Sequence, residues 1–404
     1  MSGVMAERSI ARPAGGPYAA PFQCPLRVDI VARGSLRALP AWRHAFAHER
    51  KDHRYYELIE DTLHPEFDYR YFIVSDARGA VCSVQPFFLL DQDLLAGMAG
   101  AGRLIDAVRG LFPRFMRTRT LMVGCAAGEG HLDGDAGRAV AVAELLARAM
   151  LQHARALGAR LIVLKEFPAR YREALDCFLD HGFSRIPSMP MTKVRVDYAS
   201  FEDYMSRALN SATRKKLRKK FQAAERAAPI EMSVVGDIAP VIAQVYPLYL
   251  QVYRRSKLHF EKLTEGYFCE LGRRMPDKVR FFLWRQSGRI VAFSACLVHG
   301  DALYAEYIGL DYGVALDLHL YHYAYRDMIR WAIANGYTWF RSSGLNYDPK
   351  LHLRHVLDPI DLYLRHTSEP INAVLKRLLP LLEPTRYDKT LAKFSNYREL
   401  WGSR

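Results

Sequence analysis

The pattern of hydrophobic and polar positions predicts alternating strands and helices along the chain. In the second half, two apolar runs joined by a turn at Gly288 predict a hairpin. A third strand, a long amphipathic helix and a parallel fourth strand follow; in order, these five segments are 281–284, 290–298, 303–310, 317–335 and 338–341. Strands that alternate with helices are typical of the α/β class, with helices on the faces of a sheet.

The first half repeats this plan in the same order. Gly79 lies in a hairpin turn, as Gly288 does, and Gly124 lies at the end of the third strand, as Gly309 does. Gly158 lies between the helix and the following strand, as Gly336 does. Three matched positions in one order indicate duplication, so we predict two tandem α/β domains, each a mixed twisted sheet flanked by helices. The predicted boundaries are a disordered leader at 1–22, a first domain at 23–200, a basic helical connector at 201–229, a second domain at 230–368 and a helical tail at 369–404.

Several stretches of the second half together resemble a known family. They are 260–264 (Phe-Glu-Lys-Leu-Thr), 288–292, 302–309, and 329–332 with Gly336. In these residues the chain resembles the GNAT-type acyltransferase superfamily, in particular its tandem-domain branch of FemAB-like and predicted N-acyltransferase proteins. The resemblance covers roughly 213–361 well and implies two GNAT-like domains that transfer an acyl group to an amine, with the active site in the second domain.

Composition narrows the class of partner without choosing one. The formal charge of +14 predicts an anionic partner, and cofactor phosphates, nucleic acid and an acidic membrane surface all qualify. Six cysteines without a C-x-x-C pair favour reduced thiols in a cytoplasmic protein, and we expect neither a metal site nor a tightly bound cofactor. The apolar run 139–157 carries four ionisable side chains, so we expect no transmembrane segment, with peripheral membrane contact left open.

The densest basic run lies in the connector, at residues 214–220. Leu217, Phe221, Ala224 and Ala228 share one helical face, which predicts an amphipathic helix with its cations on the outer side. One interpretation is an arm that binds donor phosphates, tRNA or lipid headgroups, with Lys215 and Arg218 as contacts. The alternative is a solvated surface helix.

The resemblance also implies a pyrophosphate loop of the form [Q/R]-x-x-G-x-[G/A]. Partial matches occur at 125–130 and at 310–315, where Leu310, Gly313 and Ala315 are the candidate residues for binding a donor cofactor. Both lack the leading Gln or Arg, and Glu129 and Asp311 would repel a pyrophosphate. An ordinary strand-to-helix turn is the alternative interpretation.

Glu306 and Tyr347 are the candidate catalytic residues. Alternation along 303–310 places Glu306 with Tyr304 and Ile308 on one side of the strand, and Tyr307 on the other. A carboxylate among aromatic side chains gains basicity and suits a general base; the alternative is an ion pair with an arginine such as Arg341. By resemblance, Tyr347 protonates the leaving group; otherwise it is a turn aromatic.

Polar and aromatic positions at strand ends supply candidate contacts for the acceptor. These substrate-binding candidates are Tyr304, Tyr307, Ser342, Ser343, Asn346 and Lys165. Turn capping and strand-end ion pairing are the structural alternatives for them.

The sequence thus predicts an N-acyltransferase. An acyl-thioester such as acyl-CoA is the favoured donor cosubstrate, because the chain lacks the long coiled-coil insertion of many tRNA-dependent relatives. The acceptor is an amine of a small molecule, an amino acid or a peptide-like compound. An aminoacyl-tRNA-dependent transferase is the alternative, and a non-catalytic binding protein with the same fold is the alternative of another class. No G-x-S-x-G elbow occurs, which disfavours a hydrolase.

Overall fold

The computed structural model describes residues 26–63, 67–93, 117–134, 136–227, 229–256 and 260–402. Its strands, in chain order, are β1 (Arg27–Val31), β2 (Asp68–Ser75), β3 (Val81–Asp93), β4 (Arg117–Val123), β5 (Leu161–Pro168), β6 (Ser184–Pro187), β7 (Met191–Arg195), β8 (Ile230–Val235), β9 (Val279–Gln286), β10 (Arg289–His299), β11 (Ala302–Leu310), β12 (Trp339–Ser342), β13 (Val356–Asp358) and β14 (Ile360–His366).

Helices cover the strands and connect them. In chain order they are α1 (Arg33–Leu36), α2 (His53–Thr62), α3 (Ala136–Ala156), α4 (Arg172–Leu175), α5 (Cys177–Asp180), α6 (Phe201–Ala208), α7 (Ser211–Ala227), α8 (Ile242–Arg255), α9 (Glu265–Arg274), α10 (Leu320–Ala334), α11 (Tyr347–His352) and α12 (Glu369–Leu382). Short 3₁₀ turns complete the C-terminal part of the chain, at Pro384–Arg386, Leu391–Lys393 and Tyr397–Trp401.

The strands form two seven-stranded mixed sheets. The first has the order β1-β2-β3-β4-β5-β14-β6, and the second has the order β13-β7-β12-β11-β10-β9-β8. In each sheet four strands that are consecutive in the chain pair antiparallel with their neighbours: β1 to β4 in the first sheet and β8 to β11 in the second. The next pairing is parallel, between β4 and β5 in the first sheet and between β11 and β12 in the second. The predicted α/β class with two similar mixed sheets is confirmed.

Each sheet contains one strand from the opposite half of the chain. Strand β14 lies between β5 and β6, and β7 lies between β12 and β13. Residues 191–196, which the sequence pattern places at the end of the first domain, therefore pair within the second sheet. The two sheets do not divide the chain into two consecutive segments.

A β-bulge interrupts the alternation of side chains on β11. Ala295 pairs with Tyr307 while the next residue, Cys296, pairs with Ala305, so Glu306 is the extra residue. A bulge turns two successive side chains toward the same side. Tyr307 packs in the same hydrophobic cluster as Tyr304, which corrects the prediction that strict alternation sends Tyr307 to the face opposite Tyr304 and Glu306.

The parallel pair β11–β12 separates just beyond this bulge. Its pairing runs from Ala302 with Trp339 to Ala305 with Ser342. The N–H of Ser343 donates to the carbonyl of Ala305 at 3.2 Å, and β11 then continues to Leu310 without β12 beside it, paired with β10. The second sheet therefore opens at the carboxyl ends of its two parallel strands, a place where α/β proteins often bind ligands.

Candidate active site between the two sheets

A short loop before α2 carries charged residues into the interior. Asp52 begins α2, and its side chain accepts a hydrogen bond from the N–H of Arg54 at 3.1 Å. Lys278, from the second half, donates to the carboxylate of Asp52 at 2.6 Å and to the carbonyl of Glu49 at 2.8 Å. The loop is thereby fixed between the two sheets.

Two cations and two carboxylates meet at the end of this loop. The guanidinium of Arg50 pairs with Glu129 and lies 2.8 Å from Oε1 of Glu306. The ammonium of Lys51 lies 3.0 Å from Glu129 and 3.3 Å from Glu306. Burial raises the pKa of Glu129, but the charges of Arg50 and Lys51 outweigh it and hold that pKa well below its usual range. The cluster joins the first sheet to the second.

Glu306 forms an ion pair with an arginine, as the alternative interpretation expects, but the arginine is Arg50 and not Arg341. Arg341 instead donates to Asp358 at 2.7 Å, and its guanidinium lies 5.4 Å from the ring centre of Tyr304. Arg50 lies 4.3 Å from the same ring. The partners of Glu306 come from residues more than 250 positions away in sequence, which no local pattern reveals.

Lys165 lies on β5 of the first sheet, just beyond Leu164, the last residue that pairs with β4. Its ammonium donates to the carbonyl of Gly128 at 2.9 Å and to Glu166 at 2.7 Å, which is the predicted strand-end ion pair. Burial lowers the pKa of Lys165, but the adjacent Glu166 and Glu261 outweigh it and raise the pKa above its ordinary value. Phe260 covers the ammonium at 4.8 Å.

Glu261 is the titratable group of this region that the sequence analysis did not select. The hydroxyl of Tyr307 donates to its carboxylate at 3.3 Å. Burial raises the pKa of Glu261 to about 7, against the opposing charge of Lys165 and with the support of Glu166. Glu261 lies in the 260–264 stretch of the resemblance, and that position was the available signal.

Three tyrosines, Tyr55, Tyr267 and Tyr307, lie between the Lys51 cluster and Glu261. The hydroxyls of Tyr55 and Tyr267 lie 2.9 Å apart, and Tyr55 donates to the carbonyl of Ala127 at 3.1 Å. The ring of Tyr267 contacts the ring of Tyr307, with centres 5.9 Å apart. Lys51 and Glu261 therefore belong to one polar region between the sheets.

Both predicted phosphate loops use their polar groups internally. In the second loop, the N–H of Gly313 donates to the carboxylate of Asp311 at 3.0 Å, and that of Ala315 donates to the carbonyl of Asp311 at 2.8 Å. The N–H groups of residues 312 and 314 are bonded as well, to Gln251 and Asp311. Leu310 is buried at the end of β11. These N–H groups already have acceptors, which a pyrophosphate would have to replace.

In the first loop, carbonyl oxygens face the cations. Ala127 and Gly128 present their carbonyls to Lys51 and Lys165, at 3.4 and 2.9 Å. Lys51 also fills the space beside Gly128 that a β-carbon would need, where φ is +100°. Carbonyl oxygens repel phosphate, so this loop serves the ion-pair cluster.

The remaining candidates lie between the end of β12 and the start of α11, where Ser342 and Tyr347 are buried and Asn346 is exposed. Tyr347 is buried, and its hydroxyl donates to the carbonyl of Pro190 at 2.8 Å. Ser342 is buried and lies 2.5 Å from the hydroxyl of Tyr325. Ser343 presents its carbonyl to Lys350, and Asn346 has a left-handed backbone at the start of α11. The structure brings together Glu306, Tyr304, Tyr307 and Lys165, whereas the hydroxyl of Tyr347 is bonded to Pro190.

The basic helix has the predicted form. Leu217, Phe221 and Ala224 are buried against the second sheet's helices, while Ala228 lies outside the described residues. Lys215 and Arg218 are exposed, and Arg218 lies 3.1 Å from Glu202. Helix α10, against which α7 packs, begins at Leu320 with His319 as its N-cap, three residues after the start of the predicted segment 317–335.

The described residues contain neither a helix that could span a membrane nor a cluster of metal ligands. No helix in that part of the chain is both long and apolar enough to cross a membrane. No cluster of three or more histidine, cysteine or acidic side chains there is arranged to hold a metal ion.

Comparison with known proteins places the chain in a family. A search of curated proteins gives no match. Similar solved structures include L-PGS from Bacillus licheniformis (16% identity, 81% of this chain and 95% of that one, TM-score 0.48), FemX (11%, 80% and 93%, 0.49) and a tandem GNAT protein from the clavulanic acid biosynthesis pathway (12%, 85% and 99%, 0.45). The model of the FemAB-like family, described as peptidoglycan biosynthesis/recognition, matches residues 137–351, more than half of the chain. The chain therefore belongs to the FemAB-like family of acyltransferases, as the resemblance predicts.

Proposed function

We propose that the chain forms an amide bond in the cleft between its two sheets, with Glu261 taking the proton from the attacking amine. The observation that carries this proposal is the half-buried carboxylate of Glu261, whose pKa of about 7 lies near physiological pH. A general base works best when its pKa lies near the working pH. Strands β11 and β12 separate after Ala305, and Tyr307, the hydrogen-bond partner of Glu261, lies on β11 two residues beyond that point.

The proposed reaction balances without a redox partner. The neutral amine attacks the carbonyl carbon of the donor ester or thioester, a C–N bond forms, and Glu261 accepts the proton released from nitrogen. The C–O or C–S bond then breaks, and the leaving group takes that proton back. Tyr307, hydrogen-bonded to Glu261, orients the carboxylate and lines the acceptor side together with Tyr304 and Lys165.

Glu306 receives a different role in this proposal from the one that the sequence favours. Its two oxygens face Arg50 and Lys51, at 2.8 and 3.3 Å, so its lone pairs are engaged by cations. We assign it the task of holding these cations beside the cleft. The acid role of Tyr347 stays a prediction, and Tyr347→Phe, which removes only the hydroxyl, tests it through kcat.

The donor that these observations favour is an aminoacyl-tRNA. The N–H groups of residues 312–315 are bonded within the protein, which disfavours a CoA pyrophosphate at this loop. Helix α7 presents Lys215, Lys216, Arg218 and Lys219 to solvent, a cationic surface suited to a nucleic-acid backbone. The acceptor of the proposed reaction is a peptide-like amine, in accord with the family description. An acyl-thioester is the second candidate donor, because the gap beyond Ala305 suits an extended thioester arm.

Thermal stabilisation of the full chain distinguishes the two donors. A donor that binds only the folded protein raises its stability, by roughly 2.7 kcal/mol at a hundredfold excess over Kd. We expect stabilisation by charged tRNA, weakened by added salt and by K215Q/R218Q, and little effect of acyl-CoA. Stabilisation by acyl-CoA alone would reverse the choice of donor.

The pH dependence of turnover tests the base. With the donor that binds and a panel of peptide amines, we expect kcat/KM to rise with pH up to about 7 and then to level off. Glu261→Gln should lower kcat/KM by roughly a hundredfold and abolish this rise, whereas the exposed control Glu231→Gln should leave both unchanged. If E261Q keeps the profile while Glu306→Gln loses it, Glu306 is the base.

A further inference from the structure

Helix α12 exposes a row of large apolar side chains. Ile371, Val374, Leu378 and Leu381 are 52%, 53%, 46% and 64% exposed. Their spacings of three, four and three residues place them on one side of the helix. Tyr387, just beyond the helix, is 66% exposed. We call these five residues the α12 face.

The opposite side of α12 is anchored to the first sheet. Asn372 is buried; it accepts from the N–H of His366 at 2.9 Å and donates to the carbonyl of Gly182 at 2.9 Å. Leu379 is buried, and Arg365 pairs with Glu369 at 2.5 Å. The helix is therefore a fixed part of the fold, and its apolar exposure does not result from a loose terminus.

The concentration of exposed apolar residues distinguishes this face from the rest of the surface. In the part of the chain that the structure describes, nine large apolar side chains are markedly exposed, and five of them belong to the α12 face. The other four are scattered among different elements, at Val140, Leu179, Phe260 and Leu316. A contiguous apolar patch on a soluble surface marks an interaction site, whereas single residues do not.

Cations adjoin the α12 face. Arg377 is exposed on the helix, three residues after Val374 and four before Leu381, and Arg386 and Lys389 are exposed just after the helix. Apolar residues on one side of a helix with lysine and arginine beside them are typical of helices that lie in a membrane interface. Anionic headgroups attract such cations.

We propose that α12 lies in the surface of an anionic lipid bilayer, with the α12 face among the upper acyl chains and the adjoining cations at the headgroups. The charge of the chain selects this occupant over a second copy. Two chains of formal charge +14 that packed their α12 faces together would bring Arg377, Arg386 and Lys389 of each copy close to like charges, whereas an anionic bilayer neutralises them. The inference does not depend on the donor or on the catalytic role of Glu261.

Cosedimentation of the full chain with vesicles tests the proposal. Vesicles of phosphatidylglycerol mixed with phosphatidylcholine should bind the protein at low salt, and vesicles of phosphatidylcholine alone should bind it at least tenfold more weakly. The variant I371S/V374S/L378S should reduce binding at least tenfold. The matched control V140S/L316S, which removes exposed apolar residues elsewhere, should bind like the native chain.

The cations and the competing occupant have separate tests. R377Q/K389Q should lower binding about fivefold for each charge removed, and added salt should likewise weaken binding. Far-ultraviolet circular dichroism and thermal unfolding establish that each variant is folded. The proposal is overturned if the native chain ignores anionic vesicles, or if I371S/V374S/L378S binds them undiminished. If sedimentation velocity instead shows a dimer that this variant dissociates, a second copy covers the α12 face.

Discussion

Lys350 provides a sharp test of the electrostatics of the loop that follows β12. Its side chain is 1% exposed, and its ammonium donates to the carbonyls of Ser343 at 2.5 Å, Gly344 at 3.4 Å and Leu345 at 2.8 Å. The described contacts of this ammonium include no carboxylate. Burial lowers the pKa of Lys350 to about 7 from an ordinary 10.5.

This pKa makes the stability of the protein depend on alkaline pH. Below pH 7 Lys350 carries its proton in both the folded and the unfolded chain, and the cost of burying the charge is fully present. Between pH 7 and 10.5 the unfolded chain binds more protons, so the free energy of unfolding rises with pH. At about 1.4 kcal/mol per pKa unit the full effect is about 5 kcal/mol, of which about 3 kcal/mol is gained by pH 9.5.

Lys350→Met removes the charge and nearly keeps the volume of the side chain. Urea unfolding followed by circular dichroism, at intervals from pH 6 to 9.5, gives the stability of the native chain relative to the variant. We expect the free energy of unfolding of the native chain, relative to that of the variant, to increase as the pH rises. The exposed control Lys219→Met should show no such trend. A difference that stays constant across this range would refute the reasoning, because it would mean that the three carbonyls keep the lysine charged.

Two further substitutions test other close contacts, both by urea unfolding. Lys51→Met should cost about 3 kcal/mol, because it removes a cation from the buried carboxylates and leaves Glu306 with Arg50 alone and Glu129 with Arg50 and His131; an effect under about 1 kcal/mol would mean that the ion-pair cluster contributes little. Gly309→Ala should cost about 1–3 kcal/mol, since its β-carbon would meet an aromatic ring on β10 and the backbone of α8. The control Gly236→Ala has open space around the new methyl group and should change stability by much less.

The local parts of the fold could be predicted from the sequence. The hairpin turn at Gly288, with φ of +77°, and the strand β11 lie where the apolar runs place them. Helix α10 starts at Leu320, three residues after the start of the predicted segment 317–335, and His319 is its N-cap. Short-range patterns determine such features. The exchange of β7 and β14 could not be predicted in this way, since it depends on pairing between strands far apart in the chain.

The candidate site was predicted in part. The location on β11 and the presence of Lys165 at the end of β5 follow from strand order, and the structure brings them near each other through Glu261 and Tyr307. The ionic partners of Glu306 could not be foreseen. They lie on a loop of the first half, and a bulge, which no periodic pattern shows, determines which side chains of β11 face that loop.

The exchange of strands has a consequence for the order in which the chain can fold as it is made. The first sheet cannot fill the gap between β5 and β6 until β14 emerges from the ribosome, 179 residues after the end of β6. At 5–20 residues per second, this delay is roughly 10–35 s. During this time the facing edges of β5 and β6 lack their final partner, and an antiparallel strand of another nascent chain could pair there. The first half is therefore the part of the protein that most needs a chaperone during synthesis.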